Sequence, residues 1–112
     1  MIGFVSQLTH CLAVALMACK DPAELADYTG DSFRDLTRIA KINDRLWCEL
    51  FFENKDELLS QMKLFSDQFA AIAKCIETND EEGLKAAMRL SSARRALFDK
   101  TEQDENKEKQ KR

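Results

Sequence analysis

The sequence predicts an all-α fold, and three observations carry that expectation. Only three glycines (Gly3, Gly30, Gly83) and one proline (Pro22) occur in 112 residues, too little punctuation for the tight turns of an all-β architecture. Apolar residues recur at three- and four-residue spacing along most of the chain, the period of amphipathic helices. A hydrophobic fraction of 45% beside 33% charged residues fits one globular domain with a single core.

The first element, residues 2–19, is a helix without a charged side chain. At 100° per residue, Phe4, Leu8, Cys11, Leu12, Ala15, Leu16 and Cys19 share one broad face. The other face carries Ser6, Gln7, Thr9 and His10 in its first turns and Ala13, Val14 and Met17 later. A helix that is apolar almost all round requires cover on every side. In so short a chain the additional cover is expected from a second subunit. The run "CLAVALMAC" is not a signal peptide, because the first charge of the chain, Lys20, follows it rather than precedes it. Nor is it a membrane span, since four polar residues interrupt the segment.

Pro22 suits the first turn of a short helix, "PAELADY", with Asp21 as its N-cap, and "YTGDS" then breaks it. Asp31 or Ser32 caps the next helix, "FRDLTRIAKI". There Phe33, Leu36, Ile39 and Ala40 point one way and Arg34, Arg38 and Lys41 the other. Asn43 caps "DRLWCELFFEN", whose Leu46, Trp47, Leu50 and Phe51 follow helical spacing. The strongest periodicity runs from Lys55 to Thr78, where Leu58, Leu59, Met62, Phe65, Phe69, Ile72 and Ile76 form one apolar stripe. That is the pattern of a bundle helix. It stops at "TNDEEG", where Asn79 or Asp80 starts a last helix over about Glu81 to Lys100. This helix has a thinner stripe of Leu84, Met88, Ser91 and Phe98, beside Arg94 and Arg95 suited to surface or subunit contact. Residues 1–100 thus read as one helical domain, and residues 101–112, which lack any apolar side chain, as a disordered polar tail.

Several function classes are excluded. The net charge of -3 gives no general reason to bind nucleic acid or an anionic membrane. Glycines at 3, 30 and 83 cannot write a G-x-G-x-x-G or G-x-x-x-x-G-K-[ST] phosphate cradle. Cys11, Cys19, Cys48 and Cys75 contain no C-x-x-C pair and have one histidine for company, so no metal site is expected, and reduced thiols of a cytoplasmic protein are. No nucleophile, base and orienter set stands out, and no carboxylate pair for acid–base work.

Two groups remain as candidate sites. Ser6, Gln7, Thr9 and His10 fall within two helical turns and offer several hydrogen-bonding groups, an imidazole among them. The alternative is a hydrogen-bonded core histidine. Arg34, Arg38 and Lys41 make a basic stripe on which two guanidinium groups at i, i+4 can face one anion bidentately. The alternative there is a solvated face, with Asp35 pairing with Arg38. Trp47 suits core or interface.

These same segments carry a resemblance. "SQLTH" (Ser6 to His10) followed by "YTGDSFRDLTRIAKINDRLWCELFFENK" (Tyr28 to Lys55) resembles the C-terminal helical domain of prephenate dehydrogenase. The family pattern is a serine-histidine/glutamine-leucine-proline-histidine motif opening a buried helix, then G-x-x-F-[RK]-D-x-T-R-I-A, a tryptophan and F-x-x-N-K. Similarity in order and spacing extends from about Gly3 to Lys100. The resemblance implies a helical bundle domain of the kind that follows a Rossmann domain, forming an intertwined homodimer. The implied reaction converts prephenate to 4-hydroxyphenylpyruvate by hydride transfer to NAD or NADP with loss of carbon dioxide. Carried over by position, Arg38 matches the arginine that binds a substrate carboxylate and His10 the second motif histidine, which contacts substrate. Asp35 and Thr37 flank that arginine, Trp47 lines the pocket, and Ser6 and Gln7 complete the substrate-binding set.

The sequence departs from the pattern where Gln7 replaces the first motif histidine, Thr9 the proline, and Asp31 and Ser32 the glycines before "F-[RK]-D". The family's hydroxyl-polarising histidine and its dinucleotide fingerprint lie in the N-terminal nucleotide domain. The resemblance therefore implies no catalytic and no cofactor-binding residue in these 112 residues, which alone are expected to be inactive. Two other readings compete: a small helical chorismate mutase-like enzyme lined with arginines, and a non-catalytic helical dimer.

Overall fold

A computed structural model describes residues 3–20 and 30–110, with the backbone alone for 31 and 100–110. Every element among the described residues is helical. A π-helical turn, Gly3–Leu8, runs directly into α1 (Thr9–Ala18). Then come α2 (Asp31–Thr37), a 3₁₀ turn at Arg38–Ala40, α3 (Asp44–Glu53), α4 (Lys55–Glu77) and α5 (Glu81–Gln110). The expected helix "PAELADY" falls at 22–28, outside the described residues. The chain divides into two compact units, Met1–Ser66 and Asp67–Arg112.

In the first unit, α1 packs against α2 and against the Arg38–Ala40 turn. Ala13, expected on the less committed face of the first helix, has no exposed surface, whereas Phe4 on the expected core face is 52% exposed. Phe4 lies in the π-helical turn, where each residue advances the helix by less than the α-helical angle, so the 100° count does not apply to it. Glycine is favoured at the entrance to this turn. A Cβ on Gly3 would lie 2.9 Å from Glu57 Cγ and 3.3 Å from Asn54 Nδ2.

The helix expected over 33–42 is interrupted. Thr37 Oγ1 donates back to Phe33 O at 2.7 Å, a bond that competes with continued α-helix, and the chain tightens to 3₁₀ geometry at Arg38. The N-cap of α2 is Gly30 rather than Asp31 or Ser32; it supplies its carbonyl to Arg34 N–H and no side-chain cap bond. Asn43 does cap α3, its side chain accepting from Leu46 N–H at 3.2 Å.

The junction between α4 and α5 is settled by two residues. Asn79 adopts φ 55°, the left-handed conformation that asparagine tolerates well among side-chain-bearing residues. Asn79 N–H then reaches Ile76 O and Asp80 N–H reaches Cys75 O, the paired bonds of a Schellman stop. Asp80 caps the following helix by accepting from Gly83 N–H at 2.9 Å. The α5 backbone continues to Gln110, ten residues past the end expected at Lys100. Lack of apolar residues does not prevent a helix where glutamate, glutamine and lysine predominate, because these are strong helix formers.

The long apolar stripe of α4 is real as a pattern, yet within this chain only Leu58 on it is buried. Leu59, Phe69 and Ile76 are each more than half exposed. Among the described residues, sixteen large hydrophobic side chains are exposed against three buried hydrophobic ones, Leu8, Ala13 and Leu58. A stripe of that length left in water is the signature of an interface.

Candidate functional site

The π-helical turn is docked on α3 by Gln7. This side chain is 5% exposed, and both ends of its carboxamide are engaged. Nε2 donates to Leu50 O at 3.2 Å, and Oε1 accepts from Asn54 Nδ2 at 2.7 Å. Leu50 O needs a donor because Asn54 N–H, its partner in a continuing α-helix, bonds Phe51 O instead. Gln7 therefore caps the C-terminus of α3 from outside the helix. Its orientation is fixed chemically, since only the NH₂ end can face a carbonyl. Among the described residues no buried side-chain polar atom lacks a partner.

His10 follows one turn later. Nδ1 donates to Ser6 O at 2.7 Å, and Thr9 Oγ1 donates to the same oxygen at 2.7 Å and to Val5 O at 3.0 Å. The imidazole lies flat against Trp47, with ring centroids 3.9 Å apart and planes inclined by 22°. Trp47 in turn meets Phe51 at 5.6 Å, tilted by 54°. A histidine, a tryptophan and a phenylalanine from two segments thus form one partly exposed aromatic column. Partial burial pushes the thiol of Cys11, the next residue of α1, up from its ordinary value.

The expected site residues separate into two groups. Ser6, Gln7, His10 and Trp47 are brought together where the first turn meets α3. Asp35, Thr37 and Arg38 lie at the end of α2 and the start of the 3₁₀ turn, a segment that packs against α1. Thr37 has its hydroxyl on the backbone of Phe33. Arg38 and Asp35 are both exposed, and the expected ion pair between them does not form among the described residues. Two contributors were absent from the sequence-derived set: Asn54 and Phe51. Both lie in the F-x-x-N-K match, which was the available signal.

The family profile described as "Prephenate dehydrogenase, dimerization domain" matches residues 1–90. The chain belongs to this family. A cyclohexadienyl dehydrogenase of Zymomonas mobilis subsp. mobilis is 30% identical over 109 residues, covering 92% of this chain and 37% of that protein. A prephenate dehydrogenase of Bacillus subtilis is 26% identical over 85 residues, 71% of this chain and 23% of its own length. The crystal structure of Synechocystis arogenate dehydrogenase shares the fold, with TM-score 0.77 at 15% identity over 87% of this chain and 37% of that one. This chain therefore spans well under half the length of the relatives it matches. None of these three is named a chorismate mutase, the competing enzyme reading. The prephenate dehydrogenase dimerization domain is an all-α unit here, as its sequence predicts, and its name agrees with the apolar surface exposed on α4 and α5.

Gly3 is closed against Glu57 and Asn54, Gly83 stands inside α5 against Asp80 and Cys75, and Gly30 is an isolated cap. Among the described residues no strand leads into a glycine turn, and no group of three or more His, Cys, Asp or Glu is placed to hold a metal ion. No helix among them is long and apolar enough to cross a membrane.

Proposed function

We propose that this chain is the dimerisation and substrate-binding part of a cytoplasmic NAD(P)-dependent prephenate dehydrogenase of tyrosine biosynthesis. The family match across residues 1–90 carries the reading, because it contains every residue of the candidate site. The complete enzyme converts prephenate to 4-hydroxyphenylpyruvate by hydride transfer and decarboxylation. A Rossmann domain of the same polypeptide holds the cofactor, so the 112 residues alone are inactive. Two copies pair through the exposed stripe of α4 and its neighbours, a homodimer whose burial supplies the core a single chain lacks.

The site residues act by binding and orienting. Arg38, exposed and without a carboxylate partner among the described residues, binds a carboxylate of the dianionic substrate through charge-assisted hydrogen bonds. His10 contacts substrate from its stack on Trp47, whose indole face lines the pocket beside Ser6. Asp35 and Thr37 shape the turn that presents Arg38. Gln7 belongs to the site as a support, its carboxamide being held by α3. The test joins this chain to an upstream nucleotide domain and compares Arg38→Ala with the parent. A charge-assisted bond contributes about 1.5–3 kcal/mol, so KM for prephenate rises by roughly ten- to a hundredfold. Unchanged kinetics refute the assignment of Arg38, and absence of prephenate turnover by the joined parent refutes the function.

A further inference from the structure

We propose that the π-helical turn at Gly3–Leu8 is a device that fixes the tautomer of His10, and that Gln7 and Asn54 are its positioning residues. The functional value of this device rests on the reading that His10 contacts the ligand. Within the π-helical turn Ser6 O accepts two side-chain donors, Thr9 Oγ1 and His10 Nδ1, each at 2.7 Å. A carbonyl only accepts, so a neutral His10 must carry its proton on Nδ1. Nε2 is then the acceptor, and no described residue meets it.

The ring has little freedom to escape this state. Stacking on Trp47 at 3.9 Å sets its plane, and the Ser6 bond sets its rotation within that plane. A π-helical turn is rare and needs outside support. Here that support is Gln7, next to last in the turn, held by Leu50 O and Asn54 Nδ2 more than forty residues away. The close approach of Gly3 to Asn54 and Glu57 belongs to the same junction. Asn54 therefore acts on His10 through Gln7 and the turn, without touching the ring.

His10 is the one histidine of the chain, so its ring nitrogens can be observed without assignment ambiguity. Nitrogen-15 NMR of the 112-residue protein above neutral pH should show a protonated, pyrrole-type Nδ1 and a pyridine-type Nε2. Asn54→Asp keeps the shape but removes the donor to Gln7; the Nδ1–H form should fall from the dominant to the minor species while far-UV circular dichroism stays helical. Asn54→Ser, too short to reach Gln7, makes the same test if Asn54→Asp does not fold. A dominant Nε2–H form in the parent protein, or an unaltered tautomer in a folded Asn54 variant, overturns the proposal. The chain joined to an upstream nucleotide domain separates the two readings. If the 112-residue parent shows the Nδ1–H form but His10→Asn leaves KM for prephenate of the joined enzyme unchanged, the tautomer device stands and the substrate role of His10 falls.

Discussion

Truncating Gln7 to alanine removes the side chain whose hydrogen bonds tie the first turn to α3. Two hydrogen bonds disappear, from Nε2 to Leu50 O at 3.2 Å and from Asn54 Nδ2 to Oε1 at 2.7 Å. At about 1 kcal/mol net apiece they account for about 2 kcal/mol. The orphaned Leu50 carbonyl and Asn54 amide add to the loss, but both sit in partly buried positions where water restores some of their bonding. The expected total is about 2–4 kcal/mol, a large fraction of the roughly 5–15 kcal/mol by which domains are stable. Urea unfolding measures it, followed by fluorescence of Trp47, the sole tryptophan, at one fixed protein concentration so that subunit association does not distort the comparison. Gln7→Glu is the informative companion. It keeps an acceptor for Asn54 yet turns a carboxylate oxygen toward Leu50 O, so it should lose at least as much stability as the alanine variant. A loss below about 1 kcal/mol for Gln7→Ala, or a Gln7→Glu protein as stable as the parent, would refute the reasoning that this amide clamps the two segments.

Two further outcomes follow from the packing. Gly3→Ala places a methyl group 2.9 Å from Glu57 Cγ and should destabilise by about 1 kcal/mol despite the better helix propensity of alanine. Adding Glu57→Ala should recover at least about 0.5 kcal/mol of that loss in a double-mutant cycle; strict additivity would show that the close approach is not the cause. The melting temperature should rise with protein concentration, because an α4 stripe with Leu59 and Phe69 more than half exposed needs a second copy to bury it. Sedimentation equilibrium checks the same point, and a monomer with concentration-independent melting contradicts it.

Helix signals that act over a few residues were legible without coordinates. Asn43 caps α3, the stop and restart at 77–81 falls where "TNDEEG" puts it, and the α4 stripe has its expected period. Each depends on neighbours within one or two turns. The candidate site was legible only as a set of residue types. Pattern singled out His10, Arg38 and Trp47 and resemblance gave them roles, whereas a fixed 100° period could not place Phe4, which lies in the π-helical turn and is 52% exposed. Nor could spacing show that Thr37 bonds back to Phe33 and that the chain tightens to 3₁₀ geometry at Arg38.

The sequence by itself determined that this chain is helical, where most helices begin and end, that it has more apolar surface than one short chain can cover, and which family pattern it follows. Tertiary structure decided which of those residues serve one another. Gln7 meets Leu50 and Asn54 across 43 and 47 positions, and His10 meets Trp47 across most of the first unit. A helical period fixes the direction of a side chain about its own axis. It carries no information on which distant carbonyl or ring will lie in that direction, because that is set by the close packing of one helix on another.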